Sequence, residues 1–121
     1  MLFRSWDGEY LLYDNLLGGI YARSFHSEGV FQYLELTLDS AINSNKVRYW
    51  IPSGVNNNNN TAINVDVYYG GSWHNIYSGS YIMNTWVEKT FSNHNITKAR
   101  IKFTGNYSPA YLGEFDFWKV N

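Results

Sequence analysis

The sequence predicts an all-β domain, a sandwich or barrel of seven or eight short strands. Three observations carry this prediction: apolar and polar residues alternate with a period of two in several stretches, turn residues separate these stretches, and no window has sustained helical periodicity. A length of 121 residues fits one domain, spanning 1–121, with a single hydrophobic core.

The clearest element is a β-hairpin over residues 63–79. Residues 63–69 alternate between apolar and polar side chains, as expected of a strand with one buried face. Gly70 and Gly71 then offer the positive φ that a tight reversal needs. A return strand follows over residues 72–77, and its Trp73 is predicted to be a core residue of the hairpin.

The same alternation places the other strands. They are predicted over residues 31–38, 46–51, 86–91, 98–104 and 111–120. Two polar stretches, 39–45 and 92–97, are interpreted as turns, and residues 14–29 as a long loop. A loop of this length inside a small domain is uncommon and often functional. Trp50 and Trp118 fall on the polar phase of their strands, so one of them is a candidate for exposure.

Composition excludes several classes of protein. The net charge is −1 and no basic run exceeds two residues, so the electrostatic footprint of a nucleic-acid binder is missing. The absence of cysteine removes disulfides, thiolate nucleophiles and cysteine-ligated zinc. No apolar run approaches the length of a membrane span, and no signal peptide is visible.

No catalytic signature stands out in the chain. The three histidines, His26, His74 and His94, are far apart and show no metal-ligand spacing. Glu114 and Asp116 alternate on one strand and could share a face, as a glycosidase pair does, but a small all-β chain has little room for the required cleft. The sequence therefore favours a protein that is not an enzyme.

Several stretches, in order along the chain, resemble one known family. The matching residues are 32–38 (Gln-Tyr-Leu-Glu-Leu-Thr-Leu), 41–50 (Ala-Ile-Asn-Ser-Asn-Lys-Val-Arg-Tyr-Trp), 67–79 (Val-Tyr-Tyr-Gly-Gly-Ser-Trp-His-Asn-Ile-Tyr-Ser-Gly), 99–103 and 112–118 (Leu-Gly-Glu-Phe-Asp-Phe-Trp). They resemble the core strands, the hairpin and the closing strands of discoidin-like domains (coagulation factor 5/8 type C, galactose-binding-like). The resemblance covers about residues 10–120.

This resemblance implies a fold and a mode of action. The expected fold is a discoidin-like jelly-roll β-sandwich of about eight antiparallel strands. Members of the family bind sugars, phospholipid head groups or proteins through loops at one end of the sandwich. The resemblance thus implies a binding module rather than a catalyst.

The resemblance also implies a structural calcium ion in many members, held near an Asp-Gly-Asn-x-x-Thr loop and by a late carboxylate. Asp14 matches the loop aspartate and Glu114 the late carboxylate. Asn15, Leu16 and Gly19 stand where the family has Gly, Asn and Thr. Calcium takes six to eight oxygen ligands, so the implied site lacks most of its side-chain ligands here.

The candidate ligand-binding residues combine aromatic rings with planar hydrogen-bonding groups, the chemistry that sugar recognition needs. They are Tyr21, Arg23, Phe25 and His26 in the long loop, with Tyr107 and Tyr111 as a second wall around Pro109. The resemblance places the loop near the family's ligand end. The structural alternative is that Tyr21 and Phe25 fill the core and that Arg23 pairs with Glu28.

Two hypotheses for function follow. The first is a lectin-like carbohydrate-binding module, extracellular or on a virion surface, whose partner is a glycan or glycoprotein. It should present Arg23, His26 and an aromatic ring in one shallow pocket. The second is a structural or receptor-binding component of a virion or cell-surface assembly that contacts other protein subunits. It should show a large apolar patch or an N-terminus docked through Leu2, Phe3 and Trp6.

Overall fold

The computed structural model describes residues 6–7, 22–24, 34–54, 62–104 and 111–120, and every regular element in these ranges is a β-strand. The strands are β1 (Trp6–Asp7), β2 (Ala22–Ser24), β3 (Leu34–Trp50), β4 (Ala62–Tyr69), β5 (Ser72–Gly79), β6 (Trp86–Thr104), β7 (Tyr111–Leu112) and β8 (Glu114–Lys119). All pairings are antiparallel, in a three-stranded sheet β1-β2-β7 and a five-stranded sheet β5-β4-β6-β3-β8. None of the described segments contains a helix with the length and hydropathy of a membrane span.

The predicted hairpin is present as β4 and β5. Gly70 and Gly71 form its two-residue turn with φ values of 61° and 86°, the left-handed region that glycine enters without steric cost. Ile63, Val65 and Val67 are completely buried, which confirms the predicted inward face of the first strand.

Trp73 does not lie in the core, and its prediction as a core residue of the hairpin was wrong. The two-residue turn pairs Trp73 with Tyr68, which alternates with the buried Val67 and therefore faces away from the core. The two rings meet edge to face with their centroids 5.3 Å apart. On this outer face the guanidinium carbon of Arg100 lies 4.0 Å from the Trp73 ring centroid.

The turns predicted at residues 39–45 and 92–97 were also wrong, because β3 and β6 each run through them as one long strand. The ladder between these strands absorbs the extra residues in two irregularities. Residues 38–41 of β3 stand opposite one residue of β6, and residues 91–93 of β6 stand opposite one residue of β3. Such bulges bend a strand without reversing the chain, so these polar stretches change the strand direction and not the topology.

The core lies on the inner face of the five-stranded sheet and is completed by β7. Its buried apolar residues are Leu34, Leu36, Val47, Tyr49, Ile51, Ile63, Val65, Val67, Ile96, Ala99, Ile101, Phe103, Leu112 and Phe115. The period-two alternation predicted for the second half of β3, for β4 and for the end of β6 is confirmed by this set. Polar and aromatic side chains consequently project from the other face of the sheet.

Stability is expected to fall steeply above pH 10, because burial raises the pKa of the Tyr49 phenol well above its ordinary value of 10.0. Burial likewise raises the pKa of Tyr81 to about 12. Above pH 10 the unfolded chain loses these protons while the folded chain keeps them, so the unfolded state binds fewer protons and stability falls as pH rises. Melting temperatures from about pH 9 to 11 should fall less for Tyr49→Phe than for the wild type. If the melting temperature falls equally with pH in both proteins, burial of the Tyr49 phenol is not the cause of the lost stability.

Candidate functional site

Three connecting segments meet at the end of β3, beside β7. They are residues 51–54, segment 80–85 and the junction of β7 with β8 at Gly113. The backbone N–H of Asn84, in segment 80–85, donates to the carbonyl of Ile51 at 2.8 Å, and its side-chain Oδ1 accepts from the N–H of Ser53 at 3.1 Å. Asn84 has a positive φ of 60°, a conformation that asparagine adopts more readily than most residues. The N–H of Gly113 donates to the carbonyl of Trp50 at 2.9 Å, which ties the β7–β8 junction to the end of β3.

These contacts frame a shallow, open pocket of about 220 Å³. Pro52, Ser53, Gly54 and Tyr111 line it. The tyrosine and proline rings supply apolar surface, and the serine hydroxyl can both donate and accept a hydrogen bond. None of these four residues carries a charge, so the pocket suits a neutral ligand with both C–H and hydroxyl groups.

The structure places two of the predicted ligand-binding residues side by side in the three-stranded sheet. Arg23 in β2 and Tyr111 in β7 are directly opposed backbone partners. The prediction of an unbroken loop over residues 14–29 was therefore wrong at β2, which provides the strand that β7 joins. Four other candidates lie outside the described residues, namely Tyr21, Phe25, His26 and Tyr107. The assignment of this set to a ligand site stays a prediction.

Sequence reasoning missed Asn84 and the three residues of the segment Pro52–Gly54. Proline and glycine in that segment are recognisable turn formers, but nothing local assigns them to a pocket. Asn84 is one asparagine among many in this chain. Its role depends on a segment more than thirty residues away, with which only the folded structure brings it into contact.

The expected calcium ligands are only partly described. Glu114 is completely buried at the start of β8, while Asp14 lies outside the described residues. In the part of the chain that the structure describes, no three His, Asp or Glu side chains group closely enough to hold a metal ion. One buried carboxylate is far from the six to eight oxygens that calcium takes, so the calcium site stays a prediction.

Two of the histidines that are distant in sequence meet on one tyrosine. The ring of Tyr69 is stacked between His74 and His94, each 3.8 Å away between centroids and within 6° of parallel. The Nε2 atom of each histidine also lies within hydrogen-bond distance of a serine hydroxyl, Ser72 at 3.2 Å and Ser92 at 3.0 Å. Because the tyrosine ring separates the imidazoles, this stack fixes the hairpin end and does not form a shared metal site.

A scan against models of known protein families finds no match, and a search of curated proteins finds none either. The fold, in contrast, is similar to several solved structures. The family 32 carbohydrate-binding module of NanJ from Clostridium perfringens, in complex with galactose, superposes with a TM-score of 0.73 at 16% identity, covering 93% of this chain and 88% of that one.

Two further neighbours are similar to the same degree. CpGH89CBM32-5 from C. perfringens, in complex with GalNAc-β-1,3-galactose, gives a TM-score of 0.70 at 18% identity over 89% of this chain and 81% of its own. Chitosan-binding module 1 of a chitosanase/glucanase from Paenibacillus sp. IK-5 gives 0.66 at 19% identity over 91% and 83%. The expected discoidin-like jelly-roll sandwich is thereby confirmed as the fold of this chain.

Proposed function

We propose that this domain is a non-catalytic carbohydrate-binding module that recognises glycans through the connecting segments beside β7. The observation that carries the proposal is the open pocket of Pro52, Ser53, Gly54 and Tyr111. It occurs in a fold shared with modules solved in complex with galactose and with GalNAc-β-1,3-galactose.

The pocket has the chemistry of a site for one neutral sugar ring. The Tyr111 ring can lie against the C–H face of a pyranose, while the Ser53 hydroxyl and nearby backbone groups meet its hydroxyls. At about 220 Å³ it is smaller than the roughly 300–1,000 Å³ typical of enclosed ligand sites. It therefore suits a terminal sugar more than a long chain.

A binding role is also supported by the state of the two carboxylates on β8. Glu114 is completely buried, and Asp116 accepts two hydrogen bonds from Arg48, at 2.8 and 3.1 Å. A glycosidase pair needs both carboxyl groups facing substrate across a cleft. Since Glu114 is buried and Asp116 is bonded to Arg48, the two carboxylates do not form such a pair. This favours a module that binds sugar without cleaving it.

The partner we propose is a glycan or glycoprotein met outside the cell or on a virion surface. The alternative, an assembly component acting through protein contacts, has less support. Among the residues whose burial the structure describes, the well-exposed large apolar side chains are Ile82 and Trp118, and they belong to different elements. β1 pairs with β2 of its own domain, while Leu2 and Phe3 lie outside the described residues.

Replacing Tyr111 with alanine is expected to weaken glycan binding by about tenfold or more, the factor that 1.4 kcal/mol of lost contact produces. Isothermal calorimetry against galactose, GalNAc-β-1,3-galactose and a chitosan oligosaccharide would measure the loss. Tyr111→Phe, which keeps the ring, should retain most of the affinity, and melting temperatures would show whether each variant stays folded. Wild-type affinity in a folded Tyr111→Ala variant would contradict the site, and silence with every sugar would contradict the function.

A further inference from the structure

A second recess lies on the outer face of the five-stranded sheet, away from the Tyr111 pocket. It has a volume of about 160 Å³ and is lined by Arg48 of β3 with Asp116, Phe117 and Trp118 of β8. Trp118 is 43% exposed. The Trp118 indole is thus exposed to water beside charged groups. Sugar binding in the Tyr111 pocket gives no reason for this exposure, because Trp118 does not line that pocket.

The polar part of the recess is held rigidly. Arg48 and Asp116 are opposed backbone partners, and Arg48 donates from Nε to Oδ1 at 2.8 Å and from Nη2 to Oδ2 at 3.1 Å. The guanidinium carbon also lies 4.0 Å from the centroid of Trp86 and 5.1 Å from that of Trp118. A two-point ion pair between aromatic rings fixes the planar guanidinium and carboxylate before any ligand arrives.

The same sheet contains a closed counterpart, which shows what such a cluster looks like when it serves stability. Arg100 bonds Asp66 at 2.8 Å and lies 4.0 Å from the Trp73 ring, so the same three residue types meet there in a similar cluster. The Asp66 side chain, however, is only 6% exposed, whereas that of Asp116 is 29% exposed. Stability alone does not require the open form, in which carboxylate, guanidinium and indole all reach water.

Charge and hydrogen-bonding capacity indicate the kind of ligand. Lys46 lies 4.8 Å from the Trp118 ring and is paired with Glu88 at 3.3 Å, while Asp116 and the buried Glu114 both act electrostatically on Arg48, so the positive charges of the recess are fully balanced by negative ones. This balance gives no attraction for a polyanion such as nucleic acid or an anionic membrane. Only two of the five N–H donors of Arg48 are used by Asp116, and a carboxylate accepts up to about four hydrogen bonds.

We infer that this outer face is a second glycan subsite, distinct from the Tyr111 pocket and specific for one neutral pyranose ring. Trp118 contacts the C–H face of the sugar, and Arg48 and Asp116 bond adjacent hydroxyls. The inference rests on the proposed function, because it takes the domain to bind glycans. Two separate subsites let one domain hold a polysaccharide at two points, which raises the overall affinity without a stronger single contact.

Nuclear magnetic resonance can locate binding at each subsite separately. Each of the five tryptophans gives one indole N–H signal, and the signal missing from Trp118→Ala identifies Trp118. The wild type and Tyr111→Ala would each be titrated with galactose and with GalNAc-β-1,3-galactose. The inference expects a saturable shift of the Trp118 signal in both proteins. It also expects Trp118→Ala to bind a neutral galactan polymer about tenfold more weakly.

The outcomes separate this inference from the proposed function. If sugars shift signals around Tyr111 but leave the Trp118 indole unmoved, the second subsite is wrong and the proposed function stands. If the Trp118 shift disappears in a folded Tyr111→Ala variant, the face is not an independent subsite and the inference is again overturned. If no sugar moves any signal, both proposals fail. Ile82→Ala, which removes an exposed apolar side chain outside this recess, should leave the Trp118 shift unchanged.

Discussion

Replacing Asp66 with alanine is expected to lower the free energy of unfolding by about 3–5 kcal/mol, the usual cost of breaking a buried ion pair. Asp66 is 4% exposed, and its two carboxylate oxygens accept hydrogen bonds from the Nε of Arg100 and the Nδ2 of Asn75, both at 2.8 Å. Alanine removes the negative charge that faces a partly buried guanidinium. Urea unfolding monitored by tryptophan fluorescence would measure the change.

A matched variant on the same sheet separates burial from charge. Glu35 faces Lys98 at 3.7 Å with both side chains about one-third exposed, so Glu35→Ala should cost no more than about 1 kcal/mol. Asp66→Asn keeps the shape and one acceptor oxygen and should fall between the two. If Asp66→Ala lowers the free energy of unfolding as little as Glu35→Ala does, the hydrogen bonds of Asp66 to Arg100 and Asn75 do not stabilise the fold to the expected extent.

The inner face of the sheet was predictable because alternation depends only on the backbone of each strand. Ile63, Val65 and Val67 in β4 needed no knowledge of their neighbours, since successive side chains of a strand point to opposite faces. Trp73 was assigned to the wrong face, although the two-residue turn already determines that it pairs with the outward Tyr68. A large aromatic side chain lies outside the core here because the strand register, and not its size, determines which face it occupies.

The two false turns have a different cause. Residues 39–45 and 92–97 are polar, and polar composition suits both a turn and a bulge in a long strand. Whether such a stretch forms a turn or a bulge is decided by the partner strand. In this sheet the extra residues of β3 stand opposite a single residue of β6, and those of β6 opposite a single residue of β3. A single stretch of sequence does not contain that information.

The candidate sites show the same limit. Tyr111 could be proposed from its turn-rich surroundings and the family resemblance, and Trp118 from its position on the polar phase of β8. The chemistry around Trp118 depends on Arg48 and Asp116, which are 68 residues apart and meet only because β3 pairs with β8. Residue types alone therefore suggested where rings are exposed, but not which charged groups stand beside them.

Replacing Phe103 with alanine is expected to cost about 3–5 kcal/mol of stability, the range for truncating a buried phenylalanine. Phe103 is completely buried in β6, and its ring meets that of Tyr81 edge to face, at 5.4 Å and 87°. Tyr81 belongs to segment 80–85, from which Asn84 bonds Ile51 and Ser53 at the edge of the Tyr111 pocket. The truncation should therefore loosen the pocket as well as the core.

Two measurements distinguish these effects. Urea unfolding gives the global loss of stability, and hydrogen exchange of the Asn84 amide reports the local opening of segment 80–85. Phe103→Leu keeps most of the volume and should show a smaller loss in both. Because the Tyr81 contact links the core to the pocket, exchange at Asn84 should accelerate in Phe103→Ala together with exchange at the core amides. Unchanged exchange at Asn84, beside faster exchange in the core, would mean that Tyr81 does not transmit the change.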